Sequence, residues 1–194
     1  MSTTDTQPLV RSHQGQEIPA AGTYVIDTSH SSVEFVGRHL GLSKVRGRFT
    51  KFGGNIEIAE APEQSSVEVD IDVASVESAD ARRDEHLRSP DFFHVEEHPS
   101  MVFKSASVTP VDDGTWNVAG DLTIRGVTRP VVLHTEFEGG ENSPFGDQRI
   151  GFSASTEVNR VDWDLGWNVV LESGGLLVGK KIKIELSIEA IRQA

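Results

Sequence analysis

The stretch "TWNVAGDLTI", Thr115–Ile124, alternates with a period of two: Trp116, Val118, Gly120, Leu122 and Ile124 share one face, against Asn117, Asp121 and Thr123. That is the pattern of a β-strand with one buried face. The polar outer face implies antiparallel pairing, because parallel strands are covered on both sides and read as continuous apolar runs.

The same pattern recurs outward from this segment. Val67, Val69, Ile71 and Val73 alternate with Glu68, Asp70 and Asp72, and Ile150, Phe152, Ala154, Thr156 and Val158 share a face. Ile182, Ile184, Leu186 and Ile188 alternate with Lys183 and Glu185. Further strands are expected near Ser31–Leu40, Lys44–Lys51, Asn55–Ala59, Met101–Thr109 and Pro130–Glu138, with turn signals at Gly53-Gly54 and Asp112–Gly114. Roughly eight or nine strands suit a closed barrel, which leaves no free edge and can enclose one small ligand. A two-sheet sandwich is the alternative. One segment breaks the rhythm: "SADARRDEHLRSP", Ser78–Pro90, reads as a short helix with a cap at Ser78 or Asp80 and a stop at Ser89-Pro90. On it Arg82 faces His86 and Asp84 faces Arg88 at helical spacing.

The 194 residues carry a formal net charge of -12, which disfavours nucleic acid and anionic membrane surfaces as partners. With no cysteine there is no disulfide scaffold, thiolate metal site or cysteine nucleophile. No apolar run approaches membrane-spanning length, and the polar N-terminus lacks the pattern of a secretory signal, so the expected location is cytoplasmic, without stable membrane insertion. Residues 1–21 read as a flexible leader and residues 22–194 as the barrel domain. Oligomeric state is not legible; a homodimer is compatible with the sequence.

Several segments invite chemical readings. "FFHVEEHPSMVF", Phe92–Phe103, contains HxxEH, a zinc-protease pattern that needs His94 and His98 on one helical face. Pro99 disfavours the helical region for His98, and a strand pattern follows, so the expectation is an acidic loop without metal. An assembly of His86, His94 and His98 in three dimensions stays open. The chain has no GxSxG elbow, GxGxxG or Walker loop, and Ser29-His30 reads as a turn; no catalytic residue is assigned. His39 continues the alternation of Val33, Phe35 and Gly37 and should point inward, as a hydrogen-bonded core imidazole or as a contact for a ligand headgroup. In "NRVDWDLGWN", Trp163 and Trp167 form an aromatic loop that either gates a barrel mouth or plugs it, with Arg160 tied to a carboxylate.

Four ordered blocks together resemble the YceI-like family: "IDTSHSSVEFVGRHLGLSKVRGRFTKFGGNI", "RRDEHLRSPDFFHVEEHPSMVFKS", "VAGDLTIRGVTRPV" and "LESGGLLVGKKIKIELSIEA". Phe35 and His39 match an FxxxH block, and Gly47 and Phe49 a GxF block. Asp84, His86, Leu87, Phe92 and Phe93 match a helix with paired aromatics, and Gly120, Leu122 and Gly126 a GxLxxxG block. The resemblance implies an all-β fold, an extended eight-stranded antiparallel lipocalin-like barrel with one short helix between strands, that binds a polyisoprenoid or similar lipidic amphiphile, with no known catalytic reaction and no cofactor. Many relatives have an aromatic-glycine pair where this chain has Trp163-Asp164, which puts the shape or charge of that loop in question.

The expected ligand wall combines Phe35, Phe49, Ile71, Phe103, Leu122, Ile124 and Phe152 with the aromatics Phe92, Phe93, Trp163 and Trp167. Arg82, Arg83, His39 and Arg160 are the candidates to meet an anionic headgroup, and His86 is a further expected ligand-binding residue. Binding or carriage of the amphiphile is the leading expectation. A metal-dependent hydrolase using residues 84–98, or a filled barrel that binds another protein, are the alternatives.

Overall fold

The alternating segments become the staves of a barrel. The computed structural model describes residues 8–111 and 114–194. Its strands are β1 (Val10–His13), β2 (Gln16–Pro19), β3 (Gly22–Ile26), β4 (Ser32–His39), β5 (Ser43–Phe49), β6 (Phe52–Ile58), β7 (Ser66–Asp72) and β8 (Val76–Glu77). After helix α1 (Ala81–Arg88) follow β9 (Ser100–Pro110), β10 (Thr115–Ile124), β11 (Val127–Asn142), β12 (Gln148–Asn159) and β13 (Lys181–Arg192). Consecutive pieces share positions in the wall: β3 with β4, β5 with β6, and β7 with β8. The result is a closed eight-stranded antiparallel barrel.

Closure depends on β13. One edge pairs with β12 from Lys181↔Asn159 to Ile191↔Arg149, and the other pairs with β4 through Lys183–Ser187 and with β3 through Ala190–Arg192. No sandwich of two separate sheets forms, because every wall position has two neighbours.

The expected registers hold. Phe35, Ile71, Phe103, Leu122 and Phe152 all face the common interior, which is what the period of two requires once one face is buried. At Gly120 the β9–β10 register shifts by a bulge. A Cβ at Gly120 would stand 2.3 Å from the Lys104 carbonyl oxygen and 2.7 Å from the Phe103 ring, so only glycine lets strand and ring approach this closely.

Residues 8–21 depart from the flexible leader read in the sequence; residues 1–7 lie outside the described residues. Strands β1 and β2 form an antiparallel hairpin, with Val10 opposite Pro19, and bury Leu9, Ile18 and Ala20. Arg11 fastens it by donating to the carbonyls of Ala59, Glu60 and Pro19. The hairpin covers the barrel end where β6 turns into β7, and Ile18 and Pro19 reach the interior.

The opposite end carries α1 and the 160–180 loop. Asp80 caps α1 by accepting from the Arg82 and Arg83 amides, both at 3.0 Å, and these bonds hold its carboxyl below the ordinary range. Neither side-chain pair expected along the helix forms. Buried Asp84 instead accepts from Ser78 Oγ at 2.5 Å, Arg88 donates to the carbonyls of Ala74 and Val76, and His86 bonds Asp91 at 2.8 Å. The helix is stitched to the barrel rim rather than to itself. Among the described residues, no helix is long and apolar enough to cross a membrane.

Candidate ligand-binding cavity

Inside the barrel lies a cavity of about 660 Å³, within the size range of small-molecule sites. Its long wall is aliphatic and aromatic: Val67, Val69 and Ile71 from β7, Val118, Leu122 and Ile124 from β10, Phe152 from β12, and Ile182, Ile184, Leu186 and Ile188 from β13. Each of these positions faces inward because its strand alternates. Ile18 and Pro19 of the hairpin lie at one end, with Ile58, Pro62, Trp116 and Phe137 around them.

At the other end two aromatic groups frame the mouth. Phe49 packs against both Phe35 and Phe93 with ring centroids 5.7 Å apart. Trp167 stands 4.5 Å from His86 and 5.4 Å from Phe92. Trp163 is buried and donates from Nε1 to the Leu122 carbonyl at 2.9 Å, which ties the mouth loop to β10.

Every residue assigned to the ligand wall and headgroup in the sequence lies on this one cavity, at its wall or its rim. Their roles differ from the expected ones in several places. Arg160 is buried and, among the described residues, has no carboxylate partner: Nε donates to Gly179 O at 2.9 Å, Nη2 to Val178 O at 3.3 Å and Nη1 to the Leu165 carbonyl. Its guanidinium sits 5.9 Å from the Phe92 ring centre, and burial lowers its pKa. Arg160 is thus the internal tie of the mouth loop, with each of its three guanidinium nitrogens donating to a backbone carbonyl. Arg83 is similarly engaged, by Ser78 Oγ at 2.8 Å and Ser78 O at 3.0 Å.

His39 is exposed at the rim, not a core imidazole. The alternation does carry it to the inner side of β4, but the strand rises past the end of the core before reaching it. Arg82 and Arg38 are also exposed on the rim, and among the described residues neither side chain makes a salt bridge or hydrogen bond. Sequence reasoning did not single out Arg38, nor Leu177 and Val178, which a β-bridge between His39 and Val178 brings to the mouth. A loop residue recruited by tertiary pairing leaves no periodic signal.

Asp164 ends the 3-10 turn Arg160–Trp163 in the left-handed region, with φ 59° and ψ 19°. That conformation suits glycine, and aspartate is among the few other residues that adopt it readily. The departure from the aromatic-glycine pair therefore leaves the turn intact and adds a negative charge at the surface.

After Phe93 the chain forms a turn over residues 95–97 and no helix, in keeping with Pro99 disfavouring the helical region for His98. The turn nonetheless brings the two histidines together: the His98 amide donates to the His94 carbonyl at 2.9 Å, and the two rings stand 6.0 Å apart.

Comparison with known proteins agrees with this architecture. Residues 24–190 match the YceI-like domain. A "UPF0312 protein" of Vibrio parahaemolyticus is 37% identical over 176 residues, covering 89% of each chain. The YceI protein of Campylobacter jejuni superposes with a TM-score of 0.68 at 28% identity, covering 81% of this chain and 90% of that one. A polyisoprenoid-binding domain from Saccharophagus degradans superposes with a TM-score of 0.65 at 15% identity, over 90% of this chain and all of that one, a likeness of fold. From the inward registers, the barrel closure through β13 and the match across nearly the whole barrel, it follows that the chain belongs to the YceI-like domain family.

Proposed function

We propose that the protein binds a polyisoprenoid or similar long-chain amphiphile in the barrel and sequesters or carries it without altering it chemically. The observation that carries this reading is an apolar cavity floored by the hairpin and open at a rim of exposed cationic and imidazole groups. A hydrocarbon tail inside it is removed from water, at about 0.8 kcal/mol per buried methylene. The polar head stays at the mouth, where Arg38, Arg82 and His39 are available and Arg83 and Arg160 are already engaged. The same fold in the Saccharophagus degradans polyisoprenoid-binding domain supports the choice of ligand class.

Calorimetric titration of delipidated protein with a short and a long prenyl alcohol tests the proposal. The longer chain binds more tightly, because each added isoprene unit buries more apolar surface until the cavity is full. Phe152→Glu weakens the long chain while circular dichroism shows the barrel still folded, since the carboxylate is desolvated beside the tail. Equal affinity for the two chains, or no binding by ligand-free wild type, would remove the proposal.

A further inference from the structure

We propose that His94, Glu97 and His98 form a binding site for one divalent transition-metal ion of the zinc, copper, nickel or cobalt type, on the outer side of the barrel mouth. These are the metals that imidazole nitrogens with a carboxylate favour.

The turn after Phe93 brings the three donors together. Its backbone is fixed by amide bonds from His94 to Ser89 O at 3.0 Å, from Glu97 to His94 O at 3.1 Å and from His98 to His94 O at 2.9 Å. His94 holds φ 51°, a conformation that non-glycine residues enter at some cost. The His98 ring lies over Gly126, where a Cβ would stand 3.2 Å from its Cε1.

The distances fit ligands around an ion better than hydrogen-bond partners. His94 Nδ1 lies 3.5 Å and His98 Nε2 4.0 Å from Glu97 Oε2, and all three ligand atoms lie within 4.8 Å of one another. Bonds of about 2.1 Å to a tetrahedral ion set neighbouring ligand atoms about 3.4 Å apart, so small side-chain rotations close the set. Among the described residues neither imidazole makes a side-chain hydrogen bond. Three protein ligands leave a fourth position for water.

A second group, Asp27, His30 and Glu189, has similar spacing but a different content. There Arg149 Nη1 already donates to Asp27 at 2.7 Å and to Glu189 at 2.5 Å, so a guanidinium holds the place a metal would need. It provides an internal control.

Untagged protein stripped with a chelator is titrated with zinc chloride by calorimetry, while imidazole 15N shifts are followed by NMR. Zinc binds at one equivalent and moves the His94 and His98 ring signals, leaving the His30 signals in place. His94→Ala with His98→Ala, and separately Glu97→Gln, weaken binding at least tenfold, whereas His30→Ala does not. The wild-type NMR shifts keep the test decisive even where a variant loses stability. No saturable binding, binding undiminished in the double variant, or zinc-dependent shifts confined to His30 would each overturn the proposal.

Discussion

Gly120 shows what a single missing side chain does for the wall. With the Lys104 carbonyl and the Phe103 ring already in its Cβ space, Gly120→Ala forces a strand or a ring to move. It is expected to destabilise the barrel by about 1–3 kcal/mol in urea unfolding. Gly53→Ala is the matched control, because nothing lies within 4 Å of a Cβ there. A Cβ at Gly47 meets the end of the Phe35 ring at 2.2 Å, so that glycine is what allows Phe35 to lie across the neighbouring strand. Which residues face inward was legible in the sequence, since Phe103, Leu122 and Phe152 follow directly from alternation. How far along the barrel they sit was not. Periodicity assigns a face and no depth, which is why it leaves His39 open as a core imidazole or a headgroup contact, and only the structure sets it at the exposed rim.

At the scale of elements, the break between β3 and β4 is held by charge. Hydrogen bonds from Ser29, then His30 and Arg149, keep the Asp27 carboxyl well below its ordinary value, and Arg149 lowers Asp147 to about 2. Arg149 thereby joins the break to β12 and, through Glu189, to β13. A depressed carboxylate stabilises the fold fully above its unfolded pKa, near 3.8 for Asp27, and loses that contribution as pH falls through the folded value. Thermal unfolding should therefore show the melting temperature of wild type dropping as pH falls below about 4, toward the depressed pKa values of Asp27 and Asp147. Arg149→Gln melts lower at neutral pH and shows a flatter acid slope. The Ser29-His30 turn was readable locally, but its partner Arg149 lies far along the chain and no local pattern announces it. The α1 cap and stop were likewise local and legible, while the real partners of Asp84 and Arg88 lie outside the helix.

For the whole molecule, the two ends of the barrel have different chemistry: an apolar floor under the hairpin and a polar, aromatic mouth. The hairpin escaped the sequence reading because its few buried residues, Leu9, Ile18 and Ala20, are diluted by polar neighbours. Ile18→Asp tests the floor, since it sets a charge at a position only 2% exposed. If tails extend to the floor, calorimetry should show the long prenyl alcohol losing at least tenfold in affinity, with the short one little changed, in a variant checked for folding. The pairing of β13 with β12 on one edge and β3 and β4 on the other also has a consequence for biosynthesis. A ribosome delivers β13 after every other stave, so until then the nascent sheet has two open edges and an uncovered apolar face. Joining Ala190 to Ile26 closes a contact across most of the sequence, a slow step that leaves the unfinished sheet exposed to aggregation. Throughout that interval the future interior lies open along its whole length, and only the last stave reduces its access to the two barrel ends.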